Sequence, residues 1–200
     1  LRREVVVYPS VDPQPGFDQL LTELGGEIES HYRGLGRDFY RIRPYQAFES
    51  ARHVDWKATA HTGSLQVREF AREQELRLEM FLDRDVPPGD EPWFERAVNC
   101  CAFLAWHLSA RGTSITFRSQ DFVLRVPEEG DIYGILKYLA LVYPMRGKAP
   151  GPPFDDTAYQ IVVSLSPERL SRQGWEGARI LGRDAFPADR GGAAGGSRTG

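Results

Sequence analysis

Two hundred residues with ordinary apolar and charged shares suit one globular domain, or one domain with a small appendage. That length buries a core without disulfides or a metal. A formal net charge of −3 excludes a protein that coats nucleic acid by bulk electrostatics.

In chain order, "EVVVYPSVDPQPG" reads as a short strand ended by prolines. "FDQLLTELGGEI" sets Phe17, Leu20, Leu21 and Leu24 on one helical face, with Gly25 and Gly26 as the stop. "FYRIRPYQ" is a strand with Arg41 and Arg43 on one side. "SARHVDWKATA" suits a short helix and "HTGS" a turn. "LQVREFAREQELRLEMFLD" is extended. In it Leu76, Leu78, Met80 and Leu82 alternate with Arg77, Glu79 and Phe81, up to Asp83.

The segment from Asp90 to Gly112 is the strongest helix. Asp90 is placed to cap it, Pro92 sits in its first turn, and apolar residues cover most of its circumference. "TSITFRS" and "DFVLRVP" are strands, and "DIYGILKYLALVYP" is a helix capped by Asp131. "YQIVVSLS" is a strand, and "PERLSRQGWEGARIL" a helix followed by an edge strand. "ADRGGAAGGSRTG" has nothing to bury and is expected to be disordered over 188–200. Strands alternating with helices from residue 75 onward predict a three-layer α/β domain.

Cys100 and Cys101 are adjacent and project about 100° apart on a helix, which suits two buried, reduced thiols rather than a bridge or a metal site. No apolar run approaches the ~20 residues that span a bilayer. The sequence opens at Leu1 rather than Met, so we read it as a piece of a longer product.

Asp83 ends a predicted strand, and Asp85 follows two residues later. Such a pair could share a hard cation such as Mg²⁺, although two carboxylates are a thin ligand set. Otherwise Asp85 is a solvated loop acid and Asp83 caps the loop. "GLGRDF" lacks the Lys-Ser/Thr of a phosphate loop. The histidines His31, His53, His61 and His107 have no zinc spacing. His107 reads as a packed core histidine, and no nucleophile turn accompanies the others.

The densest chemistry lies between Arg43 and Phe70. Residues 31–77 hold eight arginines and one lysine against six acids, a net of +3 that leaves −6 for the rest. Arg43, Arg52 and Arg68 with Glu49, Asp55 and Glu69 have the types for an internal ion-pair lattice, with Trp56 as its apolar floor. A recognition surface is the other reading. In its nucleic-acid form, Arg41, Arg43, Tyr45 and Trp56 would hold a single strand.

Arg43, Tyr45, Arg52, Asp55, Trp56, Thr59, Ala60, Leu65, Val67, Arg68, Glu69 and Phe70 fall in register with the signature of domain-of-unknown-function family 58 (DUF58), which the chain resembles over roughly residues 1–145. It departs from that signature at Phe48 and Glu49, where the family has Gly-Asp, and at His61, where it has arginine. The resemblance implies a von Willebrand factor A-like α/β domain, here 75–187, with helices on both faces of the sheet and a β-rich N-terminal extension, here 1–74. It implies no established enzymatic activity. It also implies upstream transmembrane helices that tether a cytoplasmic domain, and work beside a MoxR-type AAA+ ATPase or its client in protein assembly or activation. The Asp-x-Ser-x-Ser metal motif of von Willebrand A domains reads here as Asp83-Arg84-Asp85-Val86-Pro87, so the resemblance implies weak or lost metal binding and no cofactor.

Overall fold

The computed structural model describes residues 5–34, 40–46, 54–70, 76–148 and 150–186. The expected Gly-rich tail lies outside them, as do Glu49 and Arg52. Five strands make the main sheet: β3 (Arg77–Leu82), β4 (Ser114–Arg118), β5 (Val123–Val126), β6 (Tyr159–Val163) and β7 (Arg179–Leu181), in the order β5-β4-β3-β6-β7. All neighbours are parallel except β5, which runs antiparallel to β4 at one edge. Helix α3 (Glu91–Ala110) links β3 to β4, α4 (Ile132–Leu141) links β5 to β6, and α5 (Pro167–Ser171) links β6 to β7. The domain is the three-layer α/β fold that the alternation of elements predicts.

One face of the sheet carries α1 (Phe17–Gly34), α3 and α4 over a single apolar core with Leu78, Met80, Leu82, Ile115, Phe117 and Ile161. The α3 helix is buried almost all round, which is why its sequence shows apolar residues on every side. Cys100 and Cys101 are free thiols inside it, and burial pushes both pKa values up. The expected cap at Asp90 is not formed: its carboxylate pairs with Arg183 instead, at 2.8 Å.

Two N-terminal expectations change. Residues 5–8 form no strand, and α1 does not stop at Gly25 and Gly26 but runs on to Gly34. Ile28 and Tyr32 extend the apolar stripe of Leu20, Leu21 and Leu24 by another two turns, and that burial outweighs the cost of about 1 kcal/mol per helical glycine. The Tyr32 hydroxyl donates to the Arg77 carbonyl (2.9 Å) and accepts from its N–H (3.0 Å), which ties α1 to the start of β3. So α1 belongs to the α/β core, although it lies within the segment 1–74 that the sequence sets apart. The β-rich part of that segment is β1 (Tyr40–Pro44) paired antiparallel with β2 (Gln66–Phe70), with α2 (Trp56–Thr62) between them.

The opposite face of the sheet is polar at its centre. The alternation along β3 predicts Glu79 and Phe81 on a less apolar side, yet both are buried because β3 is the middle strand and both its faces are covered. Phe81 and Val162 pack against Leu170 and Trp175. Glu79 pairs with Arg118 at 2.6 Å and also accepts from the N–H groups of Phe154 (3.0 Å) and Asp155 (3.1 Å). Arg118 donates to the Pro152 carbonyl (2.7 Å) and lies 3.6 Å from the Phe154 ring centroid. Trp175, wholly buried, donates to the Gly151 carbonyl (2.9 Å) and closes the layer.

Removing one partner of a buried pair leaves an uncompensated charge, a loss of about 3–5 kcal/mol. Urea unfolding of Arg118→Ala is therefore expected to show a loss of that size. A loss under about 1 kcal/mol would mean that water reaches Glu79 and that the layer is open.

Candidate functional site

At the carboxyl ends of β3 and β6 the chain leaves in opposite directions. From β3 it passes through α3 to β4 on one side, and from β6 through α5 to β7 on the other. Open α/β sheets bind ligands in the crevice at such a switch point. Asp83 stands there with its side chain fully buried. Its Oδ1 accepts from Gln120 Nε2 (2.6 Å) and from the Asp85 N–H (3.0 Å), and its Oδ2 accepts from Ser164 Oγ (2.7 Å). Arg169 Nη2 reaches both oxygens at 3.1 Å, while Nη1 bonds Asp85 Oδ2. Burial alone would lower the pKa of this guanidinium. The hydrogen bond to Asp85 and the charge of Asp83 outweigh that and hold it above the usual arginine value.

The structure thus brings Asp83 and Asp85 together, as a shared cation would require, but the cation between them is Arg169. The Ser164 hydroxyl and the two carboxylates are suitable hard donors in type. With the guanidinium across them they do not fit a divalent ion. Among the described residues no group of three or more His, Cys, Asp or Glu could hold a metal. Sequence reading missed Arg169, Ser164 and Gln120. Arg169 is 86 residues from Asp83, and only the pairing of β3 with β6 places α5 beside it.

A second network adjoins the first. Arg84, whose side chain is 2 % exposed, pairs with Asp121 at 2.5 Å and donates Nε–H to the Tyr143 carbonyl (2.8 Å). Its backbone N–H goes to Gln120 Oε1 (3.0 Å), so Gln120 bridges the two networks. Asp121 also accepts from the hydroxyls of Tyr138 (2.9 Å) and Ser119 (3.2 Å). The Arg84 hydrogen bond holds the Asp121 carboxyl below its ordinary value, and burial pushes the Tyr138 phenol up to about 12. Beside this network lies a groove of about 380 Å³ lined by Phe122, Lys137, Tyr138, Leu141, Val142 and Tyr143 with Arg84 and Asp121.

The signature residues lie in the smaller β1–α2–β2 unit. Asp55 is buried and caps α2, accepting from the N–H groups of Lys57 and Ala58, both at 3.0 Å. Arg43 and Tyr45 are half-buried. Arg43 donates to the Pro44 carbonyl (3.3 Å), and the Tyr45 N–H bonds the Leu65 carbonyl (2.8 Å). Arg68 and Glu69 stand opposite Ile42 and Arg41 in the strand register, and their side chains lie outside the described residues. Trp56 is 68 % exposed, so it is not the apolar floor expected of it. As the first residue of α2, immediately after the cap, it projects from the helix start.

Three substitutions test these placements. Asp55→Ala is expected to cost about 1 kcal/mol through the lost cap, and Trp56→Ala less than about 0.5 kcal/mol. Chemical denaturation compares them directly, and a larger loss for Trp56 would restore it as a structural residue. Arg169→Ala leaves Asp83 buried beside Asp85 with no counter-charge. Its melting temperature is expected to fall and then to recover with millimolar Mn²⁺, whereas the wild type is expected not to respond. A Mn²⁺ shift in the wild type would show that the guanidinium yields to a metal.

No curated protein matches the chain, and no solved structure does. A family model described as a protein of unknown function, DUF58, matches residues 41–152, more than half of the sequence. That span runs from β1 through the switch point and α4 to the loop over the second face, and the chain belongs to the DUF58 family.

Proposed function

We propose that this chain is a non-catalytic protein-binding domain, von Willebrand factor A-like in architecture. In this reading it works with a MoxR-type AAA+ ATPase, or with that enzyme's client, in assembling or activating other proteins. The observation that carries it is the neutralised crevice. The position where an open α/β sheet usually presents reactive groups holds a carboxylate already saturated by Arg169, Gln120, Ser164 and the Asp85 amide. Its lone pairs are taken by these donors, and the hydroxyl beside it, Ser164 Oγ, is itself wholly buried. The sheet order, with one antiparallel edge strand and an acid at the end of the central strand, supports the von Willebrand A-like reading. In this reading Arg169 takes the place of a metal between Asp83 and Asp85, and no cofactor is proposed.

A cytoplasmic position tethered to the inner membrane through upstream helices belongs to the same proposal. Within the described residues no helix is long and apolar enough to cross a membrane. The partnership is tested with the immobilised chain and a purified MoxR-type ATPase from the same organism. Retention of the ATPase in at least one nucleotide state is the expected result. No retention with ATP, with ADP or without nucleotide would overturn it.

A further inference from the structure

The groove beside α4 has a floor whose charges are paired with each other and one exposed lysine on its lining. On the floor, Arg84 and Asp121 satisfy each other, and the hydroxyls of Tyr138 and Ser119 are spent on Asp121. The Phe122 and Tyr138 rings are stacked with centroids 4.0 Å apart, which gives the wall a flat apolar surface. At the mouth, Leu141 is 60 % and Tyr143 66 % exposed. An isolated exposed leucine needs no explanation, but two large apolar side chains flanking a cavity mark a contact surface.

Lys137 lines the groove and is exposed, and no carboxylate among the described residues pairs with it. Arg146 and Lys148 follow Tyr143 on the same connecting segment, are also exposed, and likewise have no acidic partner among the described residues. The acids that open α4, Glu128, Glu129 and Asp131, lie at its other end, a helix of 10 residues away. An unpaired lysine on the lining of an apolar groove, with Arg146 three residues beyond its Tyr143, complements an anionic ligand that also carries a bulky apolar group. A cavity of about 380 Å³ has room for one or two large side chains and is small for a folded surface.

We infer that this groove docks a protein segment in which a large apolar side chain is flanked by carboxylates. The apolar side chain enters between Leu141, Tyr143 and the Phe122–Tyr138 stack, and the carboxylates meet Lys137 and Arg146. This deepens the protein-binding reading and rests on it for the nature of the partner.

The test uses backbone-assigned NMR spectra of the whole chain titrated with the hexapeptide DEFLED, with KRFLKR and DESGED as charge-reversed and apolar-free controls. DEFLED is expected to shift the amides of the last turn of α4 and of residues 142–146, and the controls are not. Leu141→Asp and Lys137→Glu are each expected to weaken binding about tenfold. Both are surface changes, so an unchanged melting temperature is expected alongside. No shift at millimolar DEFLED, equal shifts with KRFLKR, or occupation of the groove by a second copy of the chain in sedimentation would each overturn the inference. The same two variants in the ATPase retention assay separate the two claims. Retention undiminished by either variant removes the groove and leaves the adaptor reading. DEFLED binding without any retained ATPase removes the adaptor reading and leaves the groove.

Discussion

A carboxylate that is wholly buried must be neutralised or heavily hydrogen-bonded, and Asp83 is both. Much of the carboxyl-end architecture follows from meeting that demand. Gln120 is drawn in from the turn after β4, Ser164 from the end of β6, and Arg169 from α5. Three connections that are remote in sequence are thereby fixed to one side chain. The short α5, only five residues, could not hold a position by its own helical propensity. Arg169 on one side and Leu170 against Phe81 and Val162 on the other hold it to the sheet.

The half-buried Arg169 and the buried Arg84 do different work at this end. Arg169 bridges two carboxylates as a compact cation would. Arg84 spreads over a carboxylate, a backbone carbonyl and an aromatic ring, the latter 4.8 Å from its centroid, and so fixes the segment after α4. Because Gln120 touches both, a change at the crevice and a change at the groove are mechanically adjacent. The electrostatic outcome is that the buried carboxylates Glu79 and Asp83 and the buried Arg84 and Arg118 are all paired.

The sequence shows most of the fold wherever one period dominates. The strand β3, the all-round apolar pattern of α3 and the Asp131 cap of α4, which accepts the Gly134 N–H at 3.2 Å, all stand in the structure. It misleads where local and tertiary preferences conflict. Gly25 and Gly26 signal a stop, yet Ile28 and Tyr32 bury enough surface to carry α1 past them. Asp90 has the chemistry of a cap, yet Arg183, 93 residues away, takes its carboxylate. At the site, Asp83 and Asp85 were legible as a pair because they are two residues apart. Arg169 was not, since nothing local distinguishes an arginine in "SPERL" that faces a buried acid from one that faces water. In the family signature, Asp55 also accepts from the first amides of α2, a role that its type alone does not announce.

The double hydrogen bond between the Tyr32 hydroxyl and the backbone of Arg77 joins two points that are 45 residues apart in sequence. The core that contains α1 is therefore interrupted by the β1–α2–β2 unit and resumes almost where it left off. That unit sits between two parts of one core, and segments whose ends meet at the surface of a finished core are the ones that can be lengthened, exchanged or excised with least disturbance. The family signature would then vary under pressures separate from those on the sheet, and its divergence at Phe48, Glu49 and His61 need not carry any change in the crevice or the groove.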